Sequence, residues 1–211
     1  MTITIIYDNE TLKKDLKADW GFACLVEAYD KKILFDTGAS GPILLDNMKK
    51  LAIDPGIVDE IIISHDHWDH TGGLFDFLKI HPVKVYVPSS SQKFLADIEM
   101  IKVKDSFQIH ENIFSTGELE NIEQSLIIRT EKGTVLIAGC AHSGVKNILK
   151  AASQYGKPYA LIGGLHGFKN FGLIADIEYI CPTHCTQYTE KIKSRYPEKY
   201  IRGGAGKVIE I

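Results

Sequence analysis

The sequence predicts an α/β (α+β) protein built as a four-layer αββα sandwich, with two mixed β-sheets face to face and helices on the outside. Two observations carry this. Runs with strand-like apolar alternation and runs with helical spacing follow in the order β-rich, helix, strand, loop, helix, strand, helix. A second half of similar plan then follows, β-rich, helix, strand, helix, strand. No linker, repeat or low-complexity stretch separates the halves. At 211 residues, the expectation is a single domain spanning 1–211.

The elements read as follows. Residues 2–7, 22–28 and 31–36 are strands, the last two joined by a turn at Tyr29-Asp30-Lys31-Lys32. Residues 42–52 are helical, with Ile43, Leu44, Met48 and Leu51 on one face. Residues 59–63 return to strand, and a His-rich loop leads into a helix over 72–80. That helix ends before His81-Pro82, because the residue preceding proline resists helical geometry. Lys84 to Val87 is a strand, and Ser90 to Ala96 a short helix capped by Ser89 or Ser90. Residues 99–114 give no clear period and suggest short strands. A hairpin pairs 124–130 with 133–139. Helix 144–154, strand 158–163, a strand-like segment at 177–180, helix 187–195 and short terminal strands complete the chain.

Composition narrows the function classes. Apolar residues make up 45% and charged residues 24%, values ordinary for a soluble globular chain, and the net charge of −3 gives no pull toward nucleic acid or anionic membrane. No apolar run reaches the ~18 residues of a membrane span, and the first residues read as a strand and not as an export signal, so a cytoplasmic location is expected. Disulfides among Cys24, Cys140, Cys181 and Cys185 are then not the default.

The chemistry concentrates at His65-Asp66-His67-Trp68-Asp69-His70, directly after the 59–63 strand. Three imidazoles and a carboxylate form a borderline-soft donor set that suits zinc best, with iron or manganese next. Buried without a cation, so many polar groups would lack partners. Alternation along an extended chain turns His65, His67 and Asp69 the same way, and His70 joins once the chain turns at Gly72-Gly73. Three more histidines sit at strand ends among small residues: His142 in Gly139-Cys140-Ala141-His142-Ser143-Gly144, His166 after Gly163-Gly164-Leu165, and His184 between Cys181 and Cys185. His81 and His110 read as ordinary surface or turn residues. Arg202 and the glycines at 203, 204 and 206 could border an anionic substrate, although such a segment is more often a turn.

The His65–His70 run, Asp36 in Phe35-Asp36-Thr37-Gly38, His142 and His184 together resemble the metallo-β-lactamase-fold hydrolases across essentially the whole chain. The resemblance is closest to the dihydropterin ribofuranosyl-aminobenzene phosphate synthase-like branch. It is carried also by Asp8-Asn9, Glu123 to Leu126, Gly139 to Gly144, Gly163 to His166 and His184-Cys185-Thr186. The resemblance implies the αββα metallo-β-lactamase fold and two divalent metal ions, one held by His65, His67 and His142, the other by Asp69, His70 and His184. Asp36 would orient the His loop. Members of the branch carry a longer stretch between the His loop and the 124–139 hairpin, and this chain resembles a trimmed version. It also has Gly139-Cys140 where a bridging aspartate is expected. Three assignments compete there: a Cys140 thiolate bridge, His142 as the ligand from this strand, or a water bridge. The His142 assignment is favoured, and Cys140 reads as a small buried strand-end residue.

The implied function is a metal-dependent hydrolase that uses a metal-bound hydroxide on a small ester, phosphoester or cyclic amide. Asp69 would orient the nucleophile and His166 would assist the leaving group as catalytic residues. The alternatives are an iron-dependent oxidoreductase on the same scaffold, against which His67 counts because that class often has a carboxylate there, and a non-catalytic metal-stabilised binding module. The expected partner is a small-molecule substrate that can carry phosphate, with neither nucleic acid nor membrane.

Overall fold

The structure is a computed structural model and describes residues 1–93, 95 and 97–211. Its first sheet takes β1 (Thr2–Tyr7), β2 (Ala23–Ala28), β3 (Lys31–Phe35), β4 (Glu60–Ile62), β5 (Lys84–Pro88), β6 (Met100–Val103) and the terminal β13 (Val208–Glu210), in the order β13-β1-β2-β3-β4-β5-β6. The second takes β7 (Phe107–His110), β8 (Ile113–Ser115), β9 (Leu126–Thr130), β10 (Gly133–Ala138), β11 (Pro158–Gly164) and β12 (Tyr179–Thr183), in the order β12-β11-β10-β9-β8-β7. Both are mixed: β3, β4, β5 and β6 run parallel, as do β10, β11 and β12, while the remaining pairs are antiparallel.

Apolar alternation builds the layers. On β2, Cys24 and Val26 face the second sheet, while Ala23 and Leu25 face outward beneath α1 (Gly41–Lys50) and α3 (Leu74–Ile80). On β10, Val135 and Ile137 face the first sheet, while Leu136 and Ala138 lie under α4 (Val145–Ala152), next to Ile192 of α5 (Thr189–Arg195). Three apolar layers thus separate four layers of backbone. That explains why the central strands are near-continuous apolar runs: both of their faces are covered. The αββα expectation is met.

Differences from the expected elements are local. A one-turn helix, α2 (Trp68–Thr71), lies inside the His loop, so extended geometry ends at His67, its N-cap. Alternation therefore reaches His65 and His67, while Asp69 is carried on the helical turn. The helix expected over 90–96 is not seen in the described part of that segment, and its residues 94 and 96 lie outside the described residues. The ambiguous 99–114 stretch resolves into β6, β7 and part of β8. Among the described residues, no helix is long and apolar enough to cross a membrane.

Candidate metal centre

All the predicted site residues gather at one end of the sandwich, beyond the carboxyl ends of the parallel strands. In open α/β sheets this is where ligands are placed, because loops leave the strands there. His65 to His70 follow β4, His142 follows β10, His166 follows β11 and His184 follows β12.

Buried Asp36 organises the loop after β4. It sits in left-handed backbone (φ 57°), and its carboxylate accepts from Ser64 N and Ser64 Oγ, both at 2.7 Å, and from His70 Nδ1 at 2.7 Å. With the Ser64 hydroxyl donating to Asp36, its oxygen accepts from His65 Nδ1 at 2.8 Å. Both imidazoles are thereby protonated at Nδ1 and present a bare Nε2. Asn9 does the same for His184: its Oδ1 accepts from His184 Nδ1 at 2.9 Å, and its Nδ2 donates to the His184 carbonyl at 3.0 Å. The 139–144 loop is held by buried Glu123, whose Oε1 accepts from Ser143 N and Oγ. Gly139 is required by a close approach: a Cβ there would lie 2.1 Å from Ser64 Oγ.

The freed nitrogens converge in two groups. The ligand atoms of His65, Cys140 and His142 lie within 4.8 Å of one another, and so do those of His70, Cys140 and His184. His67 belongs beside the first group, with Nδ1 3.0 Å from His65 Nε2 and its ring 4.8 Å from that of His142. Asp69 belongs beside the second, with Oδ2 3.3 Å from His184 Nε2 and 3.9 Å from His70 Nε2. Among the described residues, the buried Nε2 atoms of His142 and His184 have no hydrogen-bond partner, the Asp69 approach to His184 falling short of that geometry. Bare imidazole nitrogens facing each other in a buried pocket are costly unless a cation accepts their lone pairs, so the donor set fits a metal.

Protonation agrees. Burial, followed by the neighbouring imidazoles, pushes His65 far below the usual histidine range and lowers His142 to about 4. Both are neutral and ready to coordinate at physiological pH. Burial pulls the Asp69 carboxyl upward, but the close approach of the His184 and His70 imidazoles outweighs it and holds Asp69 well below the usual carboxylate range.

His166 lies apart from both groups. It is exposed at φ 45°, its ring 5.0 Å from that of His142, at the rim of the site. His81 bonds the Val58 carbonyl, and His110 pairs with buried Glu60 across the two sheets, so both are structural. Gly203 to Gly206 are buried and Ala205 bridges Thr11, while exposed Arg202 pairs with Glu10. The segment is accounted for as a turn. All four cysteines are free thiols. One contributor was missed: half-exposed Trp20 donates from Nε1 to Asp69 Oδ2 at 2.9 Å and stands edge-on to His184. Asp8 and Asn9, which the sequence marks only through the resemblance, hold His184, Asp8 Oδ1 accepting from its backbone N at 2.9 Å.

A small hollow of about 190 Å³ opens beside His65 and His67, walled by Asp66, Ser90, Ser91 and Ile122. A larger one of about 700 Å³ lies at the opposite end, between the Tyr29–Lys32 and Thr130–Lys132 turns, and holds none of the histidines. Size does not locate the chemistry here.

Residues 21–139 match the model of the metallo-beta-lactamase superfamily. The chain belongs to the metallo-beta-lactamase superfamily. Among its relatives is the 7,8-dihydropterin-6-methyl-4-(beta-D-ribofuranosyl)-aminobenzene-5'-phosphate synthase of Methanocaldococcus jannaschii, 30% identical over 248 aligned positions, covering 85% of this chain and 84% of the relative. An alignment of 248 positions exceeds the 211 residues of this chain, so this relative carries segments that the chain lacks. Among solved structures, Tm1679, described as a metal-dependent hydrolase of the beta-lactamase superfamily, superposes with a TM-score of 0.80 at 25% identity, covering 100% of this chain and 99% of its own. Zn(2+)-bound PqqB from Methylobacterium extorquens shares the fold, with a TM-score of 0.67 at 13% identity and full coverage of both chains.

Proposed function

We propose that the protein is a metal-dependent hydrolase of a small, phosphate-bearing substrate. One observation carries the reading: the buried imidazole nitrogens of His142 and His184, partnerless among the described residues, face the His65–His70 loop, whose His65 and His70 carry their proton on Nδ1. His65, His67 and His142 would hold one divalent ion, and Asp69, His70 and His184 a second, zinc being the best match to this set. Such ions, when bound, lower the pKa of water and stabilise charge on attacking and leaving oxygens.

The chain's own groups do the rest. Asp69 stays anionic, so it serves first as ligand and orienting group and only weakly as a base. Trp20 Nε1 fixes its Oδ2. His166, exposed at the rim, would give a proton to a departing oxygen. Phosphate enters the proposal because the M. jannaschii relative's name describes a phosphate-bearing product.

That relative is a synthase, which favours one second reading: the same site joins a phosphate-bearing sugar to another molecule instead of to water. The test is a panel of phosphoesters, lactones and thioesters given to zinc-loaded protein. Hydrolysis that falls at least ~100-fold in Asp69→Ala supports the first reading. No turnover with any member, together with condensation of a ribosyl-phosphate-bearing aminobenzene with a pterin-methyl diphosphate, the amine nitrogen bonding to the methyl carbon as diphosphate leaves, replaces it with the second.

A further inference from the structure

We propose that Cys140 is a ligand shared by both metal ions, its sulfur lying between them as a thiolate bridge. The inference rests on the two-ion reading above and adds the group that joins the ions.

Cys140 Sγ is the one atom common to both convergent groups, His65–Cys140–His142 and His70–Cys140–His184. It lies 3.2 Å from His70 Nε2, close to the ~3.5 Å expected between nitrogen and sulfur on one tetrahedral zinc. His184 supplies an independent sign of a ligand: its side chain is fully buried, and its Nε2 has no hydrogen-bond partner among the described residues.

A packing role does not explain this sulfur. Cys24 and Cys181 are the ordinary buried cysteines of this chain, both within the apolar layer between the sheets. On either side of Cys140, Ala138 and Ala141 pack into the outer layer of the second sheet. Cys140 itself, only 3% exposed, joins none of the three apolar layers among the described residues. Its neighbours are imidazoles and the Cys185 thiol. The nearby Cys185 is engaged differently: its thiol donates to the Cys140 carbonyl at 3.7 Å, and the absence of a side chain at Gly164 leaves room for it, since a Cβ there would lie 2.7 Å from Cys185 Sγ. The Cys185 thiol also lies within hydrogen-bonding reach of the Cys140 thiol, so bound ions would take the Cys140 sulfur in place of that contact.

A sulfur bridge softens the donor set. It selects zinc, cobalt or iron over magnesium and manganese, and the thiol proton passes to solvent as the ions bind.

The test titrates metal-free protein with cobalt(II), following near-UV thiolate-to-cobalt charge transfer and bound metal by mass spectrometry. Zinc-edge X-ray absorption on the wild-type protein adds a readout that needs no variant. Expected are two ions per chain, a charge-transfer band that changes with both the first and the second equivalent, sulfur in the zinc shell, retention of the band in Cys185→Ala and its loss in Cys140→Asp. Two ions bound without a sulfur signal overturn the bridge and leave the two-ion reading standing. A band complete after one equivalent makes Cys140 a terminal ligand and overturns the bridge. A band that persists in Cys140→Asp overturns it as well. Failure to retain zinc or cobalt at all overturns both.

Discussion

Asn9 decides which nitrogen of His184 is free. By accepting from Nδ1 it fixes the proton there and turns Nε2 toward the site. Asn9→Ala should weaken metal retention by about 10–100-fold while leaving the fold intact, read by competition with a chromophoric chelator; unchanged retention would remove Asn9 from the centre. Gly139 has a steric role. Gly139→Ala drives a methyl toward Ser64 Oγ and should cost about 1–3 kcal/mol in urea unfolding, with metal affinity falling too because Ser64 orients His65. The metal-type donors at 65–70, 142 and 184 were legible because clustered imidazoles at strand ends are chemically conspicuous. Trp20 was not, since nothing near position 20 announces that its indole reaches a carboxylate 49 residues away. Alternation accounts for His65 and His67 only; Asp69 reaches the same centre from a helical turn that begins one residue earlier.

At the scale of elements, period-2 alternation was the strongest signal, and the strands it marks are those packed on both faces. Ile137 of β10 is fully buried between the sheets, three residues before Cys140, and Ile137→Ala should destabilise by about 2–5 kcal/mol in denaturant unfolding. A cost below ~1 kcal/mol would mean that the layer collapses around the gap. Residues 99–114 were hard to read for a physical reason. β7 is an edge strand, with Phe107 and Gln108 exposed and Ile109 and His110 only partly covered, so no buried face imposes a period on it. Helix ends drifted by a residue or two, as at α1, whose N-cap Ser40 makes no side-chain capping bond to mark the start.

For the whole molecule, the buried imidazoles link stability to pH. In metal-free protein His142 titrates near 4 against an ordinary 6.5, and His65 is shifted in the same direction. Between these values the unfolded chain binds protons that the folded chain refuses. Stability is therefore full above pH ~6.5 and is lost as pH falls toward 4. The melting temperature of chelator-treated protein should fall over that window; a flat profile would show that these histidines are already solvated. Zinc should raise the melting temperature at neutral pH, by about 2.7 kcal/mol of added stability at a hundredfold excess over its dissociation constant.

The placement of the ligands has a mechanical side. The His65–His70 loop hangs from one sheet, while His142 and His184 hang from the other, so an ion bound between them as proposed would clasp the two-sheet stack at that end. At the far end the sheets are joined across the hairpin turns by contacts such as Tyr29 Oη to the Arg129 carbonyl. Breathing of the loaded protein should then pivot about the clasp, as pages open from a bound spine. Amide exchange would grade along individual strands, slowest at the carboxyl ends of β4, β10 and β12 and fastest toward the hairpin turns, and removal of the metal would flatten that gradient.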